Sequence, residues 1–158
     1  MALRNIIKAA DPVLRQPASK VKAVDKIIRQ IAEDMLETMH HAGGIGLAAP
    51  QVGISKQIIV ADMGEQENII LINPQVVKNE GEEVGVEGCL SVPGVYGEVS
   101  RSWRVEVQGE NLQGETVHCE AEGLLARALQ HEIDHLYGVL FTDKALRTFD
   151  PQELEAEG

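Results

Sequence analysis

The chain has 158 residues, 44% of them hydrophobic, a formal net charge of −11 and two cysteines. That length supports one hydrophobic core, and the acidic balance argues for solubility and against direct nucleic-acid binding. No apolar run reaches the ~20 residues of a membrane-spanning helix, so no membrane partner is expected.

Met1-Ala2-Leu3-Arg4-Asn5-Ile6-Ile7-Lys8 carries neither a signal-peptide core nor an Arg/Ser-rich transit segment. Two cysteines make no disulfide framework, which fits a reducing cytoplasm, and the lack of a transit segment favours a bacterial one. The first periodic segment spans residues 25–41, where Ile27, Ile28, Ile31, Met35 and Met39 predict one apolar helix face. His40 and His41 close that helix, a place for solvated or capping imidazoles. Next comes the run Gly43-Gly44-Ile45-Gly46-Leu47-Ala48-Ala49-Pro50-Gln51-Val52-Gly53. It follows a helix, not a strand, and no lysine follows its glycines at P-loop spacing, so a phosphate-binding reading is weak. Such glycines also let a backbone lie close to an extended peptide, with Gln51 offering an amide N–H.

Strands are expected at 57–61, 69–72, 82–86 and 99–101, and a hairpin pairs 103–108 with 115–121 around Gln113-Gly114. Trp103, Val105 and Val107 share an alternation and read as core. Cys119 alternates with Val117 and Ala121 and reads as a small buried hydrophobe in the second hairpin strand. Cys89 differs: Gly88, Pro93 and Gly94 surround it, as in a rigid turn presenting a thiolate.

The most informative segment is His131-Glu132-Ile133-Asp134-His135. In a helix, positions i and i+4 share a face, so both imidazoles reach one ion, and Glu132 stands beside it as a general base. Leu124, Ala128, His131 and His135 make one stripe, with Leu125, Leu129, Glu132 and Leu136 beside it, so the helix is buried with its ligands inward. Gly138 suits the C-terminal cap. A hydrolytic site takes three protein ligands and keeps one position open. Phe141 stands where a zinc-peptidase motif has its third histidine, and Glu153 and Glu155 lie in a frayed acidic tail. Cys89 is the better third ligand. Were Cys119 to bind as well, the site would be closed Cys2His2, structural and not catalytic. A zinc peptidase with a downstream carboxylate ligand is the other alternative.

Three segments, Gly44 to Gln51, Glu87-Gly88-Cys89-Leu90-Ser91 and Gln130-His131-Glu132-Ile133-Asp134-His135, together resemble the motifs of peptide deformylases. The similarity extends to Asp11-Pro12-Val13-Leu14-Arg15 and to the intervals between motifs, so it covers nearly the whole chain. It implies an α+β fold, with small antiparallel or mixed sheets packed around a central metal-binding helix. Residues 1–147 are expected to form a single catalytic domain and 148–158 an acidic tail. The implied activity is hydrolysis of the N-formyl group of the initiator methionine, releasing formate, on N-formylmethionyl peptides and nascent chains.

The resemblance assigns Cys89, His131 and His135 to one Fe(II) per chain, with Ni, Co or Zn able to substitute. Donor softness alone would say zinc. Such an ion lowers the pKa of a water from about 15.7 to about 7. Glu132 then shuttles the proton, worth ~10²–10⁴ in rate. Gln51 and the Leu90 N–H hold the oxyanion, each worth ~10²–10³. Glu87 and Ser91 steady the cysteine turn. Gly44, Ile45, Gly46, Leu124 and Ala128 are the expected substrate-binding residues, with Leu129 a further candidate. Arg127 either lines the slot's mouth or faces solvent. The tail after Arg147 has no Lys or Arg, so ribosome proximity is possible while docking through a basic tail is not supported.

Overall fold

In the computed structural model, which describes residues 2–62 and 68–150, the first long element is helix α1, Lys26–His41. Asp25 caps it, its side chain accepting from the Ile28 N–H at 2.9 Å. Ile28, Ile31, Ala32, Met35 and Met39 are buried, but Ile27 is 69% exposed, which corrects the expected face. Each residue turns the helix by ~100°, which puts Ile27 outside the stripe centred on Ile28, Met35 and Met39.

Among the described residues, eight strands follow in two antiparallel sheets. The larger holds β1 (Gly46–Ala48), β2 (Ile58–Ala61), β3 (Ile69–Glu80), β6 (Arg104–Glu110) and β7 (Thr116–Glu122), in the order β1-β2-β3-β6-β7. The smaller holds β4 (Glu83–Cys89), β5 (Val92–Arg101) and β8 (Arg147–Phe149), in the order β4-β5-β8. Thus the short strand expected at 99–101 is the end of ten-residue β5, and the one at 69–72 is the start of twelve-residue β3. Both continue through polar residues, which ladder hydrogen bonds hold in strand without an apolar signature.

Helix α2, Gly123–Leu136, packs on one face of the larger sheet and α1 on the other. Strand period decides which side chain meets which helix: Ile59 and Ala61 join Leu129, Ile133 and Leu136 of α2, whereas Ile58 and Val60 join Met35 and Met39 of α1. Hence β2, a run of four apolar residues, is buried throughout. Cys119, on β7, packs against the α2-side core. Trp103 does not: Val105 and Val107 are fully buried, but the indole is 43% exposed. The chain bends between β5 and β6, and the alternation holds only inside the strand, which starts at Arg104.

Gly138 follows α2 at φ 76°, where a Cβ would lie 2.6 Å from the Arg15 carbonyl oxygen, so glycine is required by backbone and by space. A one-turn helix, α3 (Phe141–Lys144), leads to β8. Of the expected tail, residues 148 and 149 complete β8 and 151–158 lie outside the described residues, as do Glu153 and Glu155.

Candidate active site

One cavity of about 590 Å³ gathers the motifs, a size suited to a small ligand or short peptide segment. Helix α2 supplies its floor because it runs buried between sheets, so His131, Glu132 and His135 are 7%, 5% and 1% exposed. Strand β4 ends at Cys89 and reverses through Leu90 and Ser91 into β5, with Cys89 paired to Val92. That turn sets the thiol over the helix. Ligand atoms of Cys89, His131 and His135 all lie within 4.8 Å of one another, and Cys89 Sγ is 3.5 Å from His135 Nε2. The two imidazoles meet edge to face, with centroids 5.0 Å apart.

Gln51 sits in the 3₁₀ turn Ala49–Val52, buried. Its Oε1 accepts from the Ala48 N–H at 2.9 Å, which fixes the amide's orientation. Nε2 then donates to Ser91 Oγ at 3.1 Å and to Cys89 Sγ at 3.4 Å. Behind the metal-ligand candidates, His131 Nδ1 donates to Glu87 Oε1 at 2.8 Å, which leaves Nε2 for the Cys89 side. Glu87 accepts further from Arg101 and Arg127, both buried. Burial would raise the Glu87 carboxyl, but the hydrogen bonds and charges of Arg101 and His131 outweigh it and hold it well below the usual range.

Glu132 behaves oppositely. Burial pushes its carboxyl up to about 7, against the opposing pull of His131. Burial would lower His131, but the Glu132 charge and hydrogen bonds to Cys89 and Glu87 raise it to about 10. His135, buried beside cationic His131 and Arg101, falls to about 3 and is neutral. Two buried polar atoms here, Glu132 Oε1 and His135 Nδ1, have no hydrogen-bond partner among the described residues. A thiol and two imidazoles converging beside an unpartnered carboxylate oxygen suit a borderline-soft divalent ion with one open position.

Gly44, Ile45, Gly46, Gln51, Cys89, Leu90, Leu124, Ala128, His131 and Glu132 all line the cavity, while His135 lies just behind its wall. Leu129 does not line it; it is fully buried in the α2-side core. Arg127 lines the cavity and is buried, not solvent-facing. Cys119 is absent from the converging group. A second cluster, Glu106, His118 and Glu120 on the β6–β7 face, is a salt-bridge array: Arg104 and Lys78 already occupy its carboxylates. Sequence reasoning missed Lys8, Val86 and Tyr96 in the cavity wall, and Arg101 as a partner of Glu87. None of them lies inside a motif; only strand pairing and the path of the N-terminal segment bring them in.

The family model for polypeptide deformylases matches residues 3–150. The chain belongs to the peptide deformylase family. Among its relatives is peptide deformylase 1 of Bacillus anthracis, 51% identical over 156 residues, covering 98% of this chain and 100% of that one. The peptide deformylase structure from Thermotoga maritima superposes with a TM-score of 0.88 at 44% identity, covering 92% of this chain and 99% of that chain. A Met-Ala-Ser-bound class I type b peptide deformylase from Acinetobacter baumannii superposes at 0.85 with 35% identity, covering 90% and 98%. The α+β fold of small antiparallel sheets is that of the family. Peptide deformylases are metalloenzymes that hydrolyse the N-formyl group from new polypeptides, and this chain is a hydrolase of that kind. Neither a zinc peptidase nor a closed structural metal site is favoured.

Proposed function

We propose that Cys89, His131 and His135 hold one Fe(II), with Ni, Co or Zn able to replace it, and that Glu132, Gln51 and Leu90 carry out deformylation around it. The observation that carries this reading is the convergence of the three ligand atoms within 4.8 Å, beside a buried carboxylate with an unpartnered oxygen. When bound, the ion supplies Lewis acidity, polarising the formyl carbonyl and an attacking water.

Glu132 accepts the proton of that water at its carboxylate as the water oxygen bonds to the formyl carbon. It returns the proton to the departing amine as the C–N bond breaks, leaving formate and a free N-terminus. Burial favours the protonated form of this carboxyl and so eases its taking and returning of the proton. The Gln51 Nε2–H that rests on Cys89 Sγ at 3.4 Å turns to the developing oxyanion, joining the Leu90 N–H, while Ala48 and Ser91 hold the amide in orientation.

The substrate's methionine side chain enters between Ile45, Leu124 and Ala128, and its backbone runs along Gly44 to Gly46. Partly exposed Ile45 (42%) and Leu124 (57%) are apolar surface such a side chain would cover. A relative solved with bound Met-Ala-Ser supports a methionine-led peptide as occupant. We place the enzyme in the bacterial cytoplasm, acting on nascent chains as one catalytic domain. No helix among the described residues is long and apolar enough to cross a membrane.

The test is formate release from a formyl-Met tripeptide by anaerobically purified protein loaded with Fe(II), Ni(II) or Zn(II), with an unformylated peptide as control. Fast release with Fe or Ni and an intact control is expected. No release at verified occupancy with any ion would overturn the assignment.

A further inference from the structure

We propose that Arg127 is a positioning residue for the metal centre, acting through Glu87 on His131; the inference rests on the ligand set proposed above. The two elements that carry that set are separate: Cys89 ends β4, and both histidines sit on α2. Something must hold one in register with the other. Arg127 lies on α2 one turn before His131 and is 6% exposed. Its guanidinium passes beside β4 at Gly85, where a Cβ would lie only 2.9 Å from Cζ, so the glycine makes room for it.

Three of its five N–H donors have partners on β4 and β5. Nη1 donates to Glu87 Oε2 at 2.7 Å and to the Val99 carbonyl at 2.8 Å, and Nη2 donates to the Glu83 carbonyl at 2.7 Å. One side chain of α2 therefore fastens the helix to the backbones of β4 and β5 and to the carboxylate that accepts from His131. Glu87 is clamped from two sides. Oε2 accepts from Arg127 and from Arg101 Nε at 2.8 Å; Oε1 accepts from Arg101 Nη2 at 2.9 Å and from His131 Nδ1 at 2.8 Å.

Arg101 is itself held by Asp134, so it anchors Glu87 on the side away from the cavity. Arg127 supplies the anchor on the cavity side. Planar guanidinium forks fix a carboxylate in position and plane, which a lysine does not do. A carboxylate so fixed sets the tautomer and rotation of the histidine that donates to it, and such partners are worth ~10–100-fold in metal affinity.

The experiment measures Co(II) and Zn(II) affinity of the full chain by chelator competition, with the visible spectrum of the Co(II) form and melting of the metal-free protein alongside. R127M is expected to bind about 10–100-fold more weakly, with shifted Co(II) bands, and R127K to recover part of the loss. R127M affinity within about threefold of wild type, with an unchanged Co(II) spectrum, overturns the proposal even if melting falls. Should R127M not fold, G85A keeps every charge while displacing the guanidinium. It is expected to weaken binding in the same direction, and unchanged affinity there overturns the proposal too. Full metal binding by C89S would overturn the ligand set and this inference with it. Loss in C89S with none in R127M overturns the inference alone.

Discussion

Gly46 stands directly against Glu132, the proposed general base, and adding one methyl group there tests whether the position of that carboxylate matters. A Cβ on Gly46 would lie 2.5 Å from Glu132 Oε2, 3.0 Å from Cγ and 3.1 Å from Cδ. Ordinary contact begins near 3.4 Å, so the carboxylate oxygen must retreat by about 0.9 Å, the difference of the two distances. Displacing a catalytic group by about 1 Å costs on the order of 10²-fold in rate, equivalent to ~2.7 kcal/mol of barrier. The fold should tolerate the change. Gly46 is not at positive φ, the struck atoms end a rotatable side chain, and alanine costs less backbone entropy than glycine in a strand by ~0.5–1 kcal/mol.

G46A should therefore melt within a few degrees of wild type, bind metal normally and lose about 100-fold in kcat for formate release. E132Q should lose ~10²–10⁴-fold, and the double variant little more than E132Q alone, because both act on one group. A G46A enzyme with kcat within threefold of wild type would refute the reasoning. So would a rise in KM with kcat unchanged, since Gly46 would then be making room for substrate and not for the carboxylate.

Two more expectations follow from other parts of the molecule. C89S should lose metal at concentrations that saturate wild type, whereas C119S should bind within about threefold. The Cys119 thiol is held high by burial and by Glu120, outside the converging ligands, and equal loss in both variants would contradict that assignment. Asp34 on α1 ties down the N-terminal segment through the Ala2 N–H at 2.8 Å and Arg4 at 2.9 Å. Burial would raise its carboxyl, but hydrogen bonds from Gln30, Ala2 and Arg4 lower it below the usual 3.8. A depressed carboxylate stabilises the fold above its unfolded value and loses that contribution as pH falls through its folded one. Wild-type urea midpoints should thus drop below pH 3.8 more steeply than those of D34N, which should already be weaker near pH 6 by roughly 2 kcal/mol. Parallel pH curves for the two proteins would count against this account.

Sequence reading went furthest where chemistry imposes a short spacing. His131, Glu132 and His135 need only the helical period to be put forward as candidates, and Cys89 stood out as one by its glycine and proline neighbours. The core followed the same rule: Ile28, Met35 and Met39 came from period 3.6, Val105 and Val107 from period 2. The misses lie where a pattern ran past the end of its element. Trp103 shares the parity of Val105, but the chain bends before Arg104 and frees the indole. Ile27 belongs to the same apolar run as Ile28 yet falls outside the buried stripe.

What the sequence determined by itself was a set of local instructions: which residues make helix α2, which make the cysteine turn, and which side chains have the chemistry for a metal and a proton. Period and spacing act within a few residues of the chain, so they carry that far and no further. Only the tertiary structure decided that Cys89 and His135, 46 positions apart, stand 3.5 Å from each other. It also decided that Arg127 turns inward to Glu87, and that Gly46 abuts Glu132. Those contacts depend on how β4, β1 and α2 pack, and packing is settled by the summed burial of the two cores, a sum over distant residues that no local pattern encodes.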